Sequence, residues 1–136
     1  MFGADSLTSA ISYYEQVQKV LNQSEPRIEP TPHETAMLRN SYFAVGAALL
    51  QLGRYEDAIR AYSTAISRYQ HDPEVLDAFV QIASCYRRLN KLVEARGTFQ
   101  QAKVVLSRIP AKAPFTSTTN YTRDEWTRVL DWLTKL

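Results

Sequence analysis

Apolar side chains recur along this chain at the three- and four-residue intervals that place them on one face of a helix. Two stretches carry the same pattern, SYFAVGAALLQLGRYEDAIRAYSTAI at 41–66 and AFVQIASCYRRLNKLVEARGTFQQAK at 78–103, and corresponding positions lie 37 residues apart. Each stretch is broken once, near Gly53 or Asn90, and both residue types tolerate the left-handed backbone that ends a helix. The pattern therefore predicts two copies of a helix, a tight turn and a second helix.

Small residues occupy corresponding positions in the two copies. They are Gly46, Ala58 and Ala65 in the first copy and Ala83, Ala95 and Ala102 in the second. Small side chains let two helices approach closely, and aromatic residues such as Tyr62 and Phe99 fill the space beside them. We therefore expect Ala58 and Ala95 to be buried where helices cross.

Capping sequences mark three helix starts. TPHE at 31–34 and TRDE at 122–125 are capping boxes, in which the threonine and the glutamate side chains each accept a backbone hydrogen bond from the other residue. In HDPE at 71–74, we expect Asp72 to cap the helix and Pro73 to be its first residue.

These signals predict one domain, residues 1–136, with four helical parts. The parts are an N-terminal helix at 5–22, a first helix pair at 32–70, a second helix pair at 73–109 and a C-terminal capping helix at 122–136. The stretch AKAPFTSTTNY, which follows Pro110, is predicted to be a loop.

The N-terminal helix leaves two interpretations open. Its main apolar face consists of Leu7, Ala10, Ile11, Tyr14, Val17 and Leu21. The helix is either the second half of a truncated repeat or an ordinary capping helix. Phe2, Tyr13 and Val20 lie near a second, partly apolar stripe, so we expect weak self-association of the chain through this helix.

The repeated pattern resembles the tetratricopeptide repeat, in which a large residue, a Leu-Gly pair, a tyrosine, an alanine, an aromatic residue and a second alanine follow in order. The first copy carries Tyr42, Val45, Gly46, Leu49, Gly53, Tyr55, Ala58, Tyr62 and Ala65. The second carries Phe79, Ile82, Ala83, Tyr86, Asn90, Leu92, Ala95, Phe99 and Ala102, without either glycine. The resemblance implies an all-α helical-repeat fold, an α-solenoid of two helix pairs between an N-terminal helix and a C-terminal capping helix.

The link between the two copies is longer than is usual for this family, whose period is about 34 residues. The additional residues fall in RYQHDPEV at 68–75. Long links of this kind are loosely similar to those in the repeats of bacterial cell-envelope scaffold and assembly proteins.

Charge and composition exclude little. The net charge of +2 is too small to indicate a nucleic-acid or membrane surface, and the cationic residues Arg87, Arg88, Lys91 and Arg96 are interpreted as a solvated face. The single Cys85 cannot form an internal disulfide. No apolar run is of membrane-spanning length, and the first ten residues lack the pattern of a signal peptide.

The sequence predicts no catalytic, cofactor or metal site. His33 and His71 lie in two different segments before helices, and Cys85 stands where the repeat requires a small buried side chain. Metal-ligand spacings and Gly-rich phosphate loops are absent from the sequence, and most acidic residues are explained by helix starts.

The resemblance implies a concave groove that the first helix of each repeat lines. The groove residues would be Asn40, Phe43, Ala47, Leu50, Gln51, Asp77, Val80, Gln81, Ser84, Arg87 and Arg88. Family members that bind a C-terminal carboxylate use Lys and Asn where this chain has Phe43 and Ala47, so that clamp is absent. Either the groove binds a peptide, or Phe43 and Leu50 pack against the long loop or a terminal helix.

The resulting function prediction is a non-enzymatic protein–protein interaction or assembly scaffold module, part of a larger protein or complex. The alternative is a regulatory or accessory domain of an enzyme that lies outside this chain. The sequence predicts a protein or peptide partner without naming it, and the compartment is left open between the cytoplasm and the cell envelope.

Overall fold

The computed structural model describes residues 3–23 and 29–136, and these residues form seven helices and no strand. The helices are α1 (Ala4–Asn22), α2 (Pro32–Gln51), α3 (Tyr55–Arg68), α4 (Glu74–Arg88), α5 (Leu92–Arg108), α6 (Phe115–Thr118) and α7 (Arg123–Thr134). The prediction of an all-α fold built from two helix pairs and two flanking helices is confirmed.

The chain divides into two compact units, unit 1 (Met1–Ala65) and unit 2 (Ile66–Leu136). Unit 1 contains α1, α2 and most of α3, and unit 2 contains the end of α3 and the helices α4 to α7. That residues 1–136 form a single domain stays a prediction.

In unit 1, α1 packs along α2. Leu7 of α1 is buried, and the side-chain amide of Asn22 donates a hydrogen bond of 2.9 Å to the hydroxyl of Tyr42. The helix α2 begins at the predicted capping box, where the Thr31 hydroxyl accepts from the Glu34 N–H and the Glu34 carboxylate accepts from the Thr31 N–H. The same reciprocal pair joins Thr122 and Glu125 at the start of α7, so both capping boxes are confirmed.

The tight turn inside each helix pair has the same hydrogen-bond pattern. Gly53 has a φ of 76°, and the N–H of Arg54, the next residue, donates to the carbonyl of Leu49 at 3.0 Å. Asn90 has a φ of 59°, and the N–H of Lys91 donates to the carbonyl of Tyr86 at 2.8 Å. Both turns are Schellman motifs, in which a left-handed residue directs the following N–H back to a helix carbonyl that would otherwise be unpaired.

The small residues of both copies lie at buried positions, as predicted. Ala58 is completely buried in unit 1, and Ala95 is buried in unit 2. Tyr62 of α3 lies across Gly46 of α2 with so little space that a Cβ atom at Gly46 would lie 2.8 Å from the Tyr62 ring. The two helices of the first pair can approach this closely because residue 46 has no side chain.

The start of α4 differs by one residue from the prediction. The helix begins at Glu74, and Pro73 is its N-cap. The Asp72 carboxylate, one position before this N-cap, accepts a hydrogen bond from the Glu74 N–H at 3.3 Å. Before the regular helix, the Val75 N–H donates to the Asp72 carbonyl and the Leu76 N–H donates to the Pro73 carbonyl, each three residues back in the chain. This tighter 3₁₀-type geometry accounts for the later start of the regular α-helix.

The prediction of a loop throughout 111–121 is wrong, because α6 forms one helical turn there. Phe115 is buried at the start of that turn, and the Thr119 hydroxyl after it accepts a 2.9 Å hydrogen bond from the indole N–H of Trp126. Phe115 packs in the core, and the buried Thr119 hydroxyl accepts the hydrogen bond of the Trp126 indole N–H. These two interactions give the segment a fixed conformation. Trp126, which lies on α7, is itself buried. Within unit 2, α7 packs against α5.

Candidate protein-interaction surface

The five predicted groove residues of unit 1 all lie on α2, but they differ in accessibility. Asn40 and Gln51 are exposed, and Ala47 and Leu50 are half-buried. Phe43 is buried, with 8% of its surface exposed. This burial favours packing of Phe43 inside the protein over its use in binding a peptide.

The six predicted groove residues of unit 2 all lie on α4. Arg87 and Arg88 are exposed at the end of the helix, and the other four, Asp77, Val80, Gln81 and Ser84, are half-buried. The polar residues Asp77, Gln81, Ser84 and Arg88 follow one another at four- and three-residue steps, so they form one stripe along the helix. We call these four residues the α4 polar stripe.

The side chains of the α4 polar stripe have no partners among the residues that the structure describes. Across residues 3–23 and 29–136, none of the four forms a side-chain hydrogen bond or an ion pair. Partial burial raises the pKa of the Asp77 carboxyl above its ordinary value, because the charged form loses hydration. A carboxylate in this position is stabilised by any cation or hydrogen-bond donor that reaches it.

A pocket in unit 2 was not predicted as a site. It lies between α5, α7 and the end of α4, has a volume of about 110 Å³ and is partly open to solvent. Its lining residues are Arg87, Leu92, Ala95, Arg96, Phe99, Leu133 and Leu136. We call it the α5–α7 pocket. Its lining residues were nevertheless recognisable in the sequence. Leu133 and Leu136 belong to the apolar stripe of α7, and Arg87 and Arg96 belong to the cationic cluster.

The two histidines and the single cysteine differ in their exposure. His33 and His71 are exposed, in unit 1 and unit 2 respectively. Cys85 is completely buried, and this burial raises the pKa of its thiol, which therefore stays protonated and a poor nucleophile. Its interpretation as a small core residue is confirmed.

The described residues, 3–23 and 29–136, contain neither a metal-binding cluster nor a membrane-spanning helix. Within these residues, no three His, Cys, Asp or Glu side chains come together in a way that could hold a metal ion. None of the helices found there combines the length and the apolar character needed to cross a bilayer.

The paired helices, the matching Schellman turns and the buried small residues define an α-helical repeat protein. Residues 44–114, more than half of the chain, match the family model described as Tetratricopeptide repeat. The chain therefore belongs to the tetratricopeptide repeat family. No curated protein and no solved structure matches it.

Members of the tetratricopeptide repeat family generally mediate protein–protein interaction or scaffolding, and the family is generally non-catalytic. The closer similarity to bacterial cell-envelope scaffold proteins, which the long link suggested, stays a prediction.

Proposed function

We propose that this chain is a non-enzymatic module that binds another protein, or holds an assembly together, within a larger protein or complex. Membership in a family with this general role supports the proposal. The observation that carries it for this chain is the α4 polar stripe: three of its four side chains are half-buried, and none of the four has a partner among the described residues.

Unpaired polar groups that are partly buried are unfavourable in the free protein, because they lose hydrogen bonds to water without gaining others. The same groups favour a complex in which a partner supplies the missing donors and acceptors. Asp77 needs a cation or N–H donor, Arg88 needs a carboxylate, and Gln81 between them both donates and accepts.

The order of charges along α4 defines the partner further. Asp77 lies near the start of the helix and Arg88 at its end, eleven residues or about 16 Å apart at the rise of an α-helix. A partner segment that lies along α4 would therefore present a basic residue to Asp77 and an acidic residue to Arg88. The exposed Arg87 adds a second cation at the same end.

A quantitative pull-down tests this function. The wild-type chain, Asp77→Asn, Arg88→Glu and the control Lys112→Glu would be used as baits, and recovered proteins would be measured by mass spectrometry. Lys112 is exposed in unit 2 and lies outside both α4 and the pocket, so it matches the charge change of Arg88→Glu. We expect one partner to be recovered with the wild type and the control, and to be lost with both α4 variants.

Thermal unfolding of the same variants separates binding from folding. Asp77→Asn removes a carboxylate whose charged form is disfavoured by burial, so its midpoint of unfolding should not fall. A partner that binds Asp77→Asn and Arg88→Glu as tightly as the wild type would contradict the role of the α4 polar stripe.

The N-terminal helix supports a separate proposal of weak self-association. Tyr13 and Val20 lie seven residues apart on α1, on one face, and are 58% and 63% exposed. Phe2, the third residue of this predicted stripe, lies outside the described residues. A second copy of the chain that packs on Tyr13 and Val20 would remove both from water.

A further inference from the structure

The α5–α7 pocket combines an apolar interior with a cationic rim. Ala95 and Phe99 are buried and form its floor, and Leu133 of α7 is half-buried beside them. Leu92 and Leu136 remain 59% and 57% exposed, so two leucine side chains that border the pocket are mostly in contact with water. An apolar side chain that fills the pocket would remove this surface from water, which favours binding.

Arg87 and Arg96 line the pocket, and both side chains are exposed. No residue that lines the pocket is acidic. Throughout the described part of the chain, neither guanidinium forms an ion pair or a side-chain hydrogen bond. Two unpaired guanidinium groups offer ten N–H donors in the geometry that binds carboxylates.

The acidic residues nearest in sequence do not neutralise this rim. Asp131 of α7 is paired with Lys103 at 2.8 Å. Glu94 is exposed and lies two positions from both Leu92 and Arg96, about 200° around α5, and so faces away from the pocket. The positive charge at the rim is therefore available to a ligand.

We propose that the α5–α7 pocket binds a peptide segment of another protein in which an apolar side chain stands next to Asp or Glu residues. The apolar side chain enters between Leu92, Phe99 and Leu133, and the carboxylates pair with Arg87 and Arg96. This arrangement has the apolar centre and charged rim of a protein interface. It rests on the proposed function as a protein-binding module and names a second surface, distinct from the α4 polar stripe.

Charge complementarity and the aromatic content of the pocket select this occupant. Single-stranded nucleic acid also carries negative charge, but its bases stack on accessible aromatic rings. Phe99 is the one aromatic residue that lines the pocket, and it is 5% exposed. An aliphatic pocket with a cationic rim therefore fits an acidic and apolar peptide better than a nucleobase.

The experiment uses the full chain as bait for a displayed library of random twelve-residue peptides. We expect the enriched sequences to share an apolar residue within two positions of Asp or Glu. The most enriched sequence would be synthesised with a fluorescent label, and its dissociation constant measured by anisotropy. Arg96→Glu and Leu92→Ser should each weaken binding roughly tenfold or more, since each removes one of the two features that the peptide requires.

Matched controls assign these losses to the pocket. Arg96 and Leu92 are both exposed, so the two variants should keep the wild-type midpoint of thermal unfolding. Lys112→Glu makes the same charge change as Arg96→Glu outside the pocket and should leave peptide binding unchanged. Replacement of the acidic residues in the peptide by their amides should cost as much affinity as Arg96→Glu.

Four outcomes would overturn the proposal. In the first, the library yields no sequence that combines an apolar residue with Asp or Glu. In the second, the selected peptide binds Arg96→Glu with the same dissociation constant as the wild type. The third is a labelled single-stranded oligonucleotide that binds more tightly than the peptide and is lost in Arg96→Glu. The fourth is a dimer in sedimentation that is lost in Arg96→Glu, which would assign the pocket to a second copy.

These outcomes are distinct from a failure of the proposed function. That function is tested by partner recovery with Asp77→Asn and Arg88→Glu, neither of which lines the pocket. If a partner depends on Asp77 and Arg88 but the pocket binds no peptide, the proposed function stands and the pocket is not a second binding surface.

Discussion

Gly46 of α2 lies against the ring of Tyr62 of α3, so that a Cβ atom at position 46 would be 2.8 Å from the ring carbon Cδ1. No real side chain tolerates this distance, and Tyr62 is itself buried, so its ring has little room to move. The close approach of α2 and α3 therefore depends on residue 46 having no side chain, since even a methyl group would be too large.

We expect Gly46→Ala to destabilise the protein by about 1–3 kcal/mol, although alanine is normally the better helix former. The measurement is the free energy of unfolding in urea. Replacing Tyr62 by leucine in the same chain should recover part of the loss, because the shorter side chain leaves space for the methyl group. A Gly46→Ala variant as stable as the wild type would mean that the two helices separate easily.

Gly97 should respond in the opposite direction. It lies within α5, it is exposed, and a Cβ atom added there would have nothing within 4 Å. We expect Gly97→Ala to stabilise the protein by about 0.5–1 kcal/mol, since glycine loses more backbone freedom on folding. The same urea experiment serves both glycines, and destabilisation by Gly97→Ala would reveal a close contact at this surface.

Thr119 and Trp126 provide a test of the segment between α5 and α7. The indole N–H of Trp126 donates to the Thr119 hydroxyl inside the core of unit 2, at 2.9 Å. Thr119→Val keeps the shape of the side chain but leaves the buried N–H without an acceptor, which should cost about 1–3 kcal/mol. Thr116→Val, at an exposed position of α6, is the matched control and should have little effect. Equal effects of the two variants would contradict a structural role for this hydrogen bond.

Local signals in the sequence predicted the fold well. The capping boxes at Thr31 and Thr122 depend on residues three positions apart, and the turns at Gly53 and Asn90 depend on one residue that accepts a left-handed backbone. Such features are decided within a few residues of the chain, and the structure contains all four.

The features that the sequence did not predict depend on residues far apart in the chain. Phe115 makes α6 an ordered turn because it is buried, and the loop-like residues around it give no sign of this. The α5–α7 pocket requires Arg96 and Leu133 to lie together, although 37 positions separate them in the sequence. The burial of Phe43 likewise follows from packing, since its position in the repeat pattern suggested a groove.

The capping boxes predict a dependence of stability on pH. The backbone N–H of Thr31 and that of Thr122 hold the pKa of Glu34 and of Glu125, respectively, below the ordinary value of 4.5. A carboxyl whose pKa is lower in the folded state stabilises the fold above its unfolded pKa, and this contribution disappears as the pH falls through the folded pKa. We therefore expect each cap to lose its effect in acid below about pH 4.5.

Thermal unfolding of the wild type and Glu125→Gln over this range provides the measurement. Glutamine can still accept the Thr122 N–H but does not titrate, so the two midpoints should differ at neutral pH and converge in acid. A difference that stays constant over the whole range would contradict an ionised cap.

The exposed stripe of α1 leads to the last prediction, the self-association of the chain. Leu7 is buried and α1 packs along α2, whereas Tyr13 and Val20 are on the accessible side of the same helix. Two exposed apolar side chains one heptad apart would both be removed from water if they packed on the same surface of a second copy across a two-fold axis. We expect the average molar mass in sedimentation equilibrium to rise with concentration in the wild type.

Tyr13→Glu should abolish this rise, because it places a charge at the centre of a contact that is two-fold symmetric and therefore meets its own copy. Glu15→Gln, an exposed substitution two residues along α1, is the control and should leave the rise intact. Arg96→Glu should also have no effect, since Arg96 lies on α5 and the proposed contact is formed by α1. A molar mass that stays monomeric at every concentration would contradict the proposed dimer and leave the stripe at Tyr13 and Val20 to a different partner.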